Sequence, residues 1–288
     1  MKILITGSKG QLGNELRVLS ADYPQHQYFF CDIEELDVCN EAAVLSFIKE
    51  YQIELIINGA AYTAVDKAEQ DRDAAFKLNA GAVENLCKAA LANKTYLVHI
   101  STDYVFDGTK KSPYTEADAV NPVSVYGSSK LRGEEMIYKY ALPSLIIRTS
   151  WLYSSFGNNF VKTILRLANE KPELRIIADQ HGSPTYARDL AKAILDIISF
   201  HPLPGNPELY LFSNLGETTW YEFAKVITEL SAINIPVIPI ETKDYPTAAT
   251  RPQNSIFSKD KIIRDFHLQI PEWKDSLKEC LALLNKNN

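Results

Sequence analysis

The sequence predicts an α/β protein, a doubly wound parallel sheet joined to a smaller C-terminal α/β substrate domain. Three observations carry that prediction. Short apolar runs of strand length alternate with longer segments of helical periodicity through the first half of the chain. The first run passes directly into Gly7-Ser8-Lys9-Gly10-Gln11-Leu12-Gly13, a glycine turn that opens onto a helical pattern. The length, 288 residues, suits one large domain or a large domain with a smaller partner.

Taken in order, Lys2 to Thr6 (KILIT) is a continuous apolar run, as expected of a strand covered on both faces of a parallel sheet. Leu12, Leu16, Val18 and Leu19 then carry helical spacing. Glycines at 7, 10 and 13 permit a tight turn, close approach of a pyrophosphate to the backbone, and close packing of helix on strand. The helix N-terminus then faces the phosphates. This is a Rossmann-type arrangement, and the expected cofactor is NADPH or NADH. The spacing is G-x-x-G-x-x-G rather than G-x-G-x-x-G, which points to one branch of dinucleotide enzymes.

Gln27 to Cys31 reads as the second strand and ends at Asp32, an acid placed to take a ribose hydroxyl and to repel a 2′-phosphate. NAD is therefore expected to be accepted. Glu41 to Tyr51 reads as a helix and Glu54 to Asn58 as the third strand, after which Gly59, Ala60 and Ala61 leave room for a flat ligand. Ala75, Leu78, Ala82, Leu86 and Ala89 mark one face of a single long helix from Ala74 to Ala92. Asn79 lies inside it, a poor interior helix residue that serves either packing or a polar role.

Thr95 to Ile100 is the fourth strand and Ser101-Thr102-Asp103 closes it, where parallel sheets bind ligands. His99 reads as a half-buried strand residue. A long polar loop through Asp107-Gly108, Pro113 and Pro122 leads to a helix opened by Tyr126 and Lys130, and Leu145 to Thr149 is the fifth strand. Beyond it, Asn158–Asn169, Arg188–Ser199, Trp220–Leu230 and Trp273–Asn285 read as helices and Leu174–Ala178 as a strand, with proline-rich turns near Pro202, Pro204 and Pro207.

The chemistry centres on Tyr126-Gly-Ser-Ser-Lys130. Residues four apart on a helix share a face one turn apart. A free phenol titrates near about 10, and an adjacent ammonium favours the phenolate and lowers that value. Tyr126 can then serve as general acid or base toward an alcohol or carbonyl oxygen.

Composition excludes other classes. The formal net charge is -6, so there is no basic footprint for nucleic acid. Cys31, Cys39, Cys87 and Cys280 show neither C-x-x-C nor metal spacing and read as reduced thiols. With no signal-like segment and no long apolar run, a cytoplasmic enzyme without a membrane partner is the expectation.

The glycine turn, Asn58-Gly-Ala-Ala61, Asn79, Ser101-Thr102 and Tyr126-x-x-x-Lys130 together resemble the extended short-chain dehydrogenases/reductases. Ala61-Tyr-Thr-Ala-Val-Asp-Lys67, Ser101-Thr-Asp-Tyr-Val-Phe-Asp-Gly108, Arg148-Thr-Ser-Trp151, Gly157-Asn-Asn-Phe160, Asp179-Gln180 and Gly182-Ser-Pro-Thr185 more narrowly resemble the dTDP-4-dehydrorhamnose reductase family, from Met1 to about Arg251. That resemblance implies NAD(P)H-dependent reduction of the C4 ketone of a dTDP-4-keto-6-deoxy sugar, the last step of dTDP-rhamnose synthesis. It assigns catalysis to Tyr126, Lys130 and Thr102, with Lys130 lowering the phenol pKa and holding the nicotinamide ribose. Implied cofactor contacts are Gly7, Gly10, Gln11, Leu12, Gly13, Asp32, Asp37, Val38, Ala60, Ala61, Tyr62 and Thr63, together with Tyr126 and Lys130. Implied substrate contacts are Val65, Thr102, Asp103, Trp151 and Arg251.

Residues 1–150 are then the NAD(P)-binding domain and 151–288 mainly the substrate domain, with an approximate boundary because such chains cross back to the first sheet. Some relatives dimerise around a magnesium held by glutamates; Glu15 stands where one would lie, but Arg188 replaces the second. No metal is therefore expected, and the chain is a monomer or a homodimer. The competing readings are another nucleotide-sugar enzyme, an epimerase or dehydratase, and a cofactor-binding regulatory subunit that performs no turnover. Asp103 lacks the glutamate partner expected of a dehydratase, and an intact Tyr126, Lys130 and Thr102 argues against the silent subunit.

Overall fold

In the computed structural model, which describes residues 1–286, β1 (Lys2–Thr6) pairs in parallel on both sides, with β2 (Gln27–Cys31) and β3 (Leu55–Asn58). This accounts for its apolar run, since neither face meets water. β4 (Tyr96–Thr102) and β5 (Ser144–Thr149) extend the sheet beyond β3, and a sixth strand, Pro207–Phe212, pairs in parallel with β5 at the edge. The spatial order is sixth strand, β5, β4, β3, β1, β2. The chain runs outward from β1 to β2 and then returns to β3, so the order reverses between β1 and β3, where open parallel sheets bind ligands.

Helices cover both faces. Leu12 and Leu16 of the Gln11–Leu19 helix, Leu190, Ile194 and Ile198 of the Ala187–Phe200 helix, and Ile262 and Phe266 of the Asp260–Phe266 helix form one layer. Val44 and Ile48 of Glu41–Tyr51, Leu86 and Ala90 of Ala82–Asn93, and Ile137 of Val125–Lys139 form the other. A separate cluster gathers Val161 and Ile164 of Phe160–Glu170, Phe223 and Ile227 of Trp220–Leu230, and Leu277 of Trp273–Lys286. Its short sheet pairs Leu174–Ile177 with Val237–Ile240. Residues beyond 150 thus contribute to both bodies of core, supplying the edge strand and two helices to the first.

Three features depart from the sequence expectation. The segment near Pro207 is not a turn but the start of the sixth strand. Proline is tolerated there because it is the first residue of an edge strand. The Val237–Ile240 strand and the Asp260–Phe266 helix are likewise new. The long helix around Asn79 begins at Arg72 and widens into a π turn over Lys77–Gly81 before continuing as Ala82–Asn93. Such widened turns frequently mark functional positions. Among the described residues no helix is long and apolar enough to cross a membrane, and all four cysteines are free.

Candidate active site

A cleft of about 1000 Å³ lies over the carboxyl ends of the strands. Its walls include Gly7, Gly10, Gln11, Leu12, Gly13, Asp32, Asp37, Val38, Ala60, Ala61, Tyr62 and Thr63, and also Val65, Thr102, Asp103, Tyr126, Lys130 and Trp151. Every implied catalytic, cofactor and substrate contact except Arg251 therefore borders one cavity. Cys39, Lys77, Ser150, Leu152, Gly157 and Asn158 border it too, without having been assigned a ligand contact from the sequence.

The glycine turn needs its glycines. Gly7 has φ +65, and a Cβ there would stand 2.7 Å from the backbone of Gly59 and Ala60 at the neighbouring strand end. A Cβ at Gly13 would meet Ser8 Cα at 2.5 Å. Both close approaches leave a backbone-lined cradle at the start of the Gln11–Leu19 helix, the setting that suits a pyrophosphate. Asp32 braces this turn, its carboxylate accepting from the N–H of Lys9 and of Ile33, each at 2.9 Å. The far side is closed by residues 152–159, where Asn159 Nδ2 donates to Gln11 Oε1 at 2.9 Å.

Tyr126 and Lys130 project from the Val125–Lys139 helix. Ser124 caps that helix, accepting from Gly127 N at 3.1 Å. The helix packs so tightly on the segment after β4 that a Cβ at Gly127 would stand 2.1 Å from Tyr104 O. Close packing thus brings Tyr126 to the end of β4, where it borders the cleft together with Thr102, whose hydroxyl donates to Asp103 Oδ1 at 3.0 Å. From below, Asn79 Nδ2 donates to Ser129 Oγ at 2.9 Å, and Ser129 Oγ donates to Tyr126 O at 2.8 Å. Asn79 also spans Tyr62, accepting from its N–H at 2.8 Å and donating to its carbonyl at 3.1 Å. The π turn holds this buried asparagine in its polar role.

The electrostatics differ from the sequence expectation. Burial pushes the Tyr126 phenol up to about 12, opposed by the neighbouring Thr102 hydroxyl and reinforced by the charge of Asp103. Lys130 is only 2% exposed and donates to Ile100 O at 2.6 Å. Burial pulls its ammonium down to about 8, with Glu134 opposing. The expected lowering of the phenol by Lys130 is thus absent here, because desolvation dominates and the ammonium is engaged by a backbone carbonyl. Asp103 is 3% exposed, and burial pushes it up to about 6, against a hydrogen bond from Thr102.

A buried ion pair lies beneath these groups. Arg148 Nε and Nη2 donate to Glu134 Oε1 and Oε2 at 2.9 and 2.6 Å, and Ser101 Oγ also donates to Glu134 Oε1. Ser101 stands next to Thr102 in sequence, Glu134 lies one turn beyond Lys130 and Arg148 is on β5, so this network ties the end of β4, β5 and the Tyr126 helix together.

Four other residues are placed plainly. Arg251 does not border the cleft but clasps Asp66, with Nη2 to Oδ2 at 2.6 Å and Nη1 to Oδ1 at 3.1 Å. Trp151 stacks on Trp220. His99 is fully rather than half buried; Asn58 Nδ2 donates to its Nδ1 at 3.0 Å, and burial, then Lys130, hold it well below its ordinary value. Glu15 is fully buried and accepts from Ser154 Oγ at 2.6 Å and from Arg188 Nε at 2.9 Å. Arg188, which replaces the expected second glutamate, is thus its direct partner.

Comparison with known proteins follows the same length of chain. The family described as RmlD substrate binding domain matches residues 1–286. The chain is 39% identical to a dTDP-4-dehydrorhamnose reductase of Aggregatibacter actinomycetemcomitans, over 98% of each chain. It superposes on a crystal structure of a dTDP-4-dehydrorhamnose reductase from Clostridium acetobutylicum with a TM-score of 0.93 and 41% identity, covering 99% of this chain and 100% of that one. It superposes equally on a dTDP-4-dehydrorhamnose reductase from Bacillus anthracis in complex with NADP, with a TM-score of 0.93 and 37% identity over 98% and 99% of the two chains. With the match running through the glycine turn, the Tyr126 helix and the C-terminal cluster alike, this chain belongs to the RmlD substrate binding domain family.

Proposed function

We propose that the protein reduces the C4 ketone of dTDP-4-dehydro-L-rhamnose to dTDP-L-rhamnose, the last step of dTDP-rhamnose biosynthesis, with NADPH or NADH. The observation that carries this reading is the meeting of Tyr126, Thr102 and Lys130 with a glycine cradle in one cleft. A bound nicotinamide dinucleotide supplies hydride. Gly7, Gly10, Gln11, Leu12 and Gly13 hold its pyrophosphate, Asp32, Asp37 and Val38 its adenosine end, and Ala60, Ala61, Tyr62 and Thr63 the middle of the molecule.

Tyr126 gives its proton to the C4 oxygen as that oxygen gains charge. A phenol pushed up to about 12 is an un-ionised donor at neutral pH, the state that a reduction requires. Thr102 borders the same cleft, and its hydroxyl, which donates to Asp103 Oδ1 at 3.0 Å, turns its hydrogen to the ketone oxygen where negative charge develops. Lys130 holds the nicotinamide ribose. Asp103, Trp151 and Val65 hold the sugar, and Arg251 serves the diphosphate once it gives up Asp66.

In this reading residues 1–150 form the NAD(P)-binding domain and 151–288 mainly the substrate domain. The protein works in the cytoplasm as a monomer or homodimer. The test is oxidation of NADPH and of NADH in the presence of dTDP-4-dehydro-L-rhamnose, with the product identified by mass and sugar analysis. Oxidation confined to that sugar and yielding dTDP-L-rhamnose supports the assignment; cofactor binding without oxidation refutes it.

A further inference from the structure

Trp151 borders the cleft, yet its backbone occupies the left-handed region at φ +49. A bulky side chain keeps such a conformation only where its surroundings enforce it. Those surroundings are specific. The ring of Trp220 stacks on that of Trp151 with centroids 3.6 Å apart and planes 11° apart. Phe160 supports Trp220 from the side at 4.6 Å. Gly182 faces the edge of the Trp151 indole so closely that a Cβ there would lie 2.6 Å from Cε2 and 2.7 Å from Cζ2. The backbone adds a tether, Thr185 N donating to Trp151 O at 3.2 Å.

The two supports are built by one small piece of sheet. Gly182 pairs in antiparallel register with Thr218, and Thr219, the next residue, caps the helix that Trp220 begins. Neither Trp220 nor Gly182 borders the cleft. Trp273, the remaining tryptophan, packs instead on Phe223 at 5.5 Å.

We infer that Trp220 and Gly182 are positioning residues that fix the Trp151 indole as a rigid wall of the sugar-binding part of the cleft, so that affinity for the nucleotide sugar depends on two residues that do not touch it. The inference rests on the functional reading given above. It follows from the geometry that removal of the stacking ring frees the Trp151 indole to turn, while a methyl at position 182 drives it from its place. Misplacement of a wall residue by about 1 Å is enough for a large loss. The cradle built on Gly7, Gly10 and Gly13 lies on other elements and keeps its cofactor.

The experiment compares Trp220→Ala, Trp220→Phe and Gly182→Ala with the wild type. Calorimetry gives Kd for dTDP-L-rhamnose and for NADPH, and near-ultraviolet circular dichroism reads the coupled signal of the two stacked indoles. The expected result is a Kd for the nucleotide sugar raised about tenfold or more in Trp220→Ala and Gly182→Ala, an unchanged Kd for NADPH, and substantial recovery in Trp220→Phe. The indole couplet disappears in both tryptophan replacements and changes shape in Gly182→Ala. An unchanged sugar Kd in a folded Trp220→Ala protein that has lost the couplet overturns the inference, as does an equal loss of both ligands. Failure of the wild type to bind the sugar, with the couplet intact, overturns the functional reading instead.

Discussion

Replacing Arg148 by methionine tests how the floor of the cleft is held. The Arg148 and Glu134 side chains are 5% and 2% exposed, and their bidentate bonds are joined by the hydroxyl of Ser101. Arg148→Met leaves a buried carboxylate with only that hydroxyl as its side-chain donor. Breaking such a pair by removing one partner costs about 3–5 kcal/mol. For a chain of this size each kcal/mol corresponds to roughly 2–4 °C in Tm, so a fall of about 6–20 °C is expected. The triple replacement Ser101→Ala, Glu134→Leu, Arg148→Met removes every polar member together. It should return to within about 2 kcal/mol of the wild type, because two desolvation costs disappear along with the attraction. Thermal melts followed by circular dichroism, with urea titration beside them, measure all three proteins. A single variant within about 1 kcal/mol of the wild type, or a triple variant as unstable as the single one, would refute the reasoning.

Asp103 offers a pH test. Its folded-state value is raised from 3.8 to about 6, so its contribution to stability is fullest below the unfolded value and is lost as pH rises through about 6. Above that, burying the ionised carboxyl costs about 3 kcal/mol, and at pH 5 about half as much. Asp103→Asn should therefore raise Tm more at pH 8 than at pH 5 while weakening sugar binding, as melts at the two pH values and sugar titration will report; an equal gain at both contradicts the shift. Gly13→Ala should abolish NADPH binding and cost about 1–3 kcal/mol, since its methyl meets the Ser8 backbone at 2.5 Å. Retained binding in calorimetry would show that the cradle tolerates it.

Much of this architecture is legible in the sequence because local patterns and long-range packing agree. Lys2–Thr6 announces a central strand, and Gly7 and Gly13 are needed where backbones touch. Tyr126 and Lys130 come together because helical spacing guarantees it. The residues that escape are those whose setting depends on distant chain. The sixth strand begins with proline and looks like a turn until β5 is seen beside it. The charges at Tyr126 and Lys130 follow from burial, which spacing does not disclose. Trp220 lies 69 residues from Trp151, and only folding stacks them. Asn79 is intermediate: its unsuitability for a helix interior is visible in the sequence, while the π turn that accommodates it is not.

The most direct measurement on the central claim is turnover of Tyr126→Phe beside its affinity for NADPH. The substitution deletes the phenolic oxygen without touching the glycine cradle. Reduction of dTDP-4-dehydro-L-rhamnose should fall about 10²–10⁴-fold with the Kd for NADPH unchanged. Turnover within a few-fold of the wild type would contradict the assignment of Tyr126 as the proton donor.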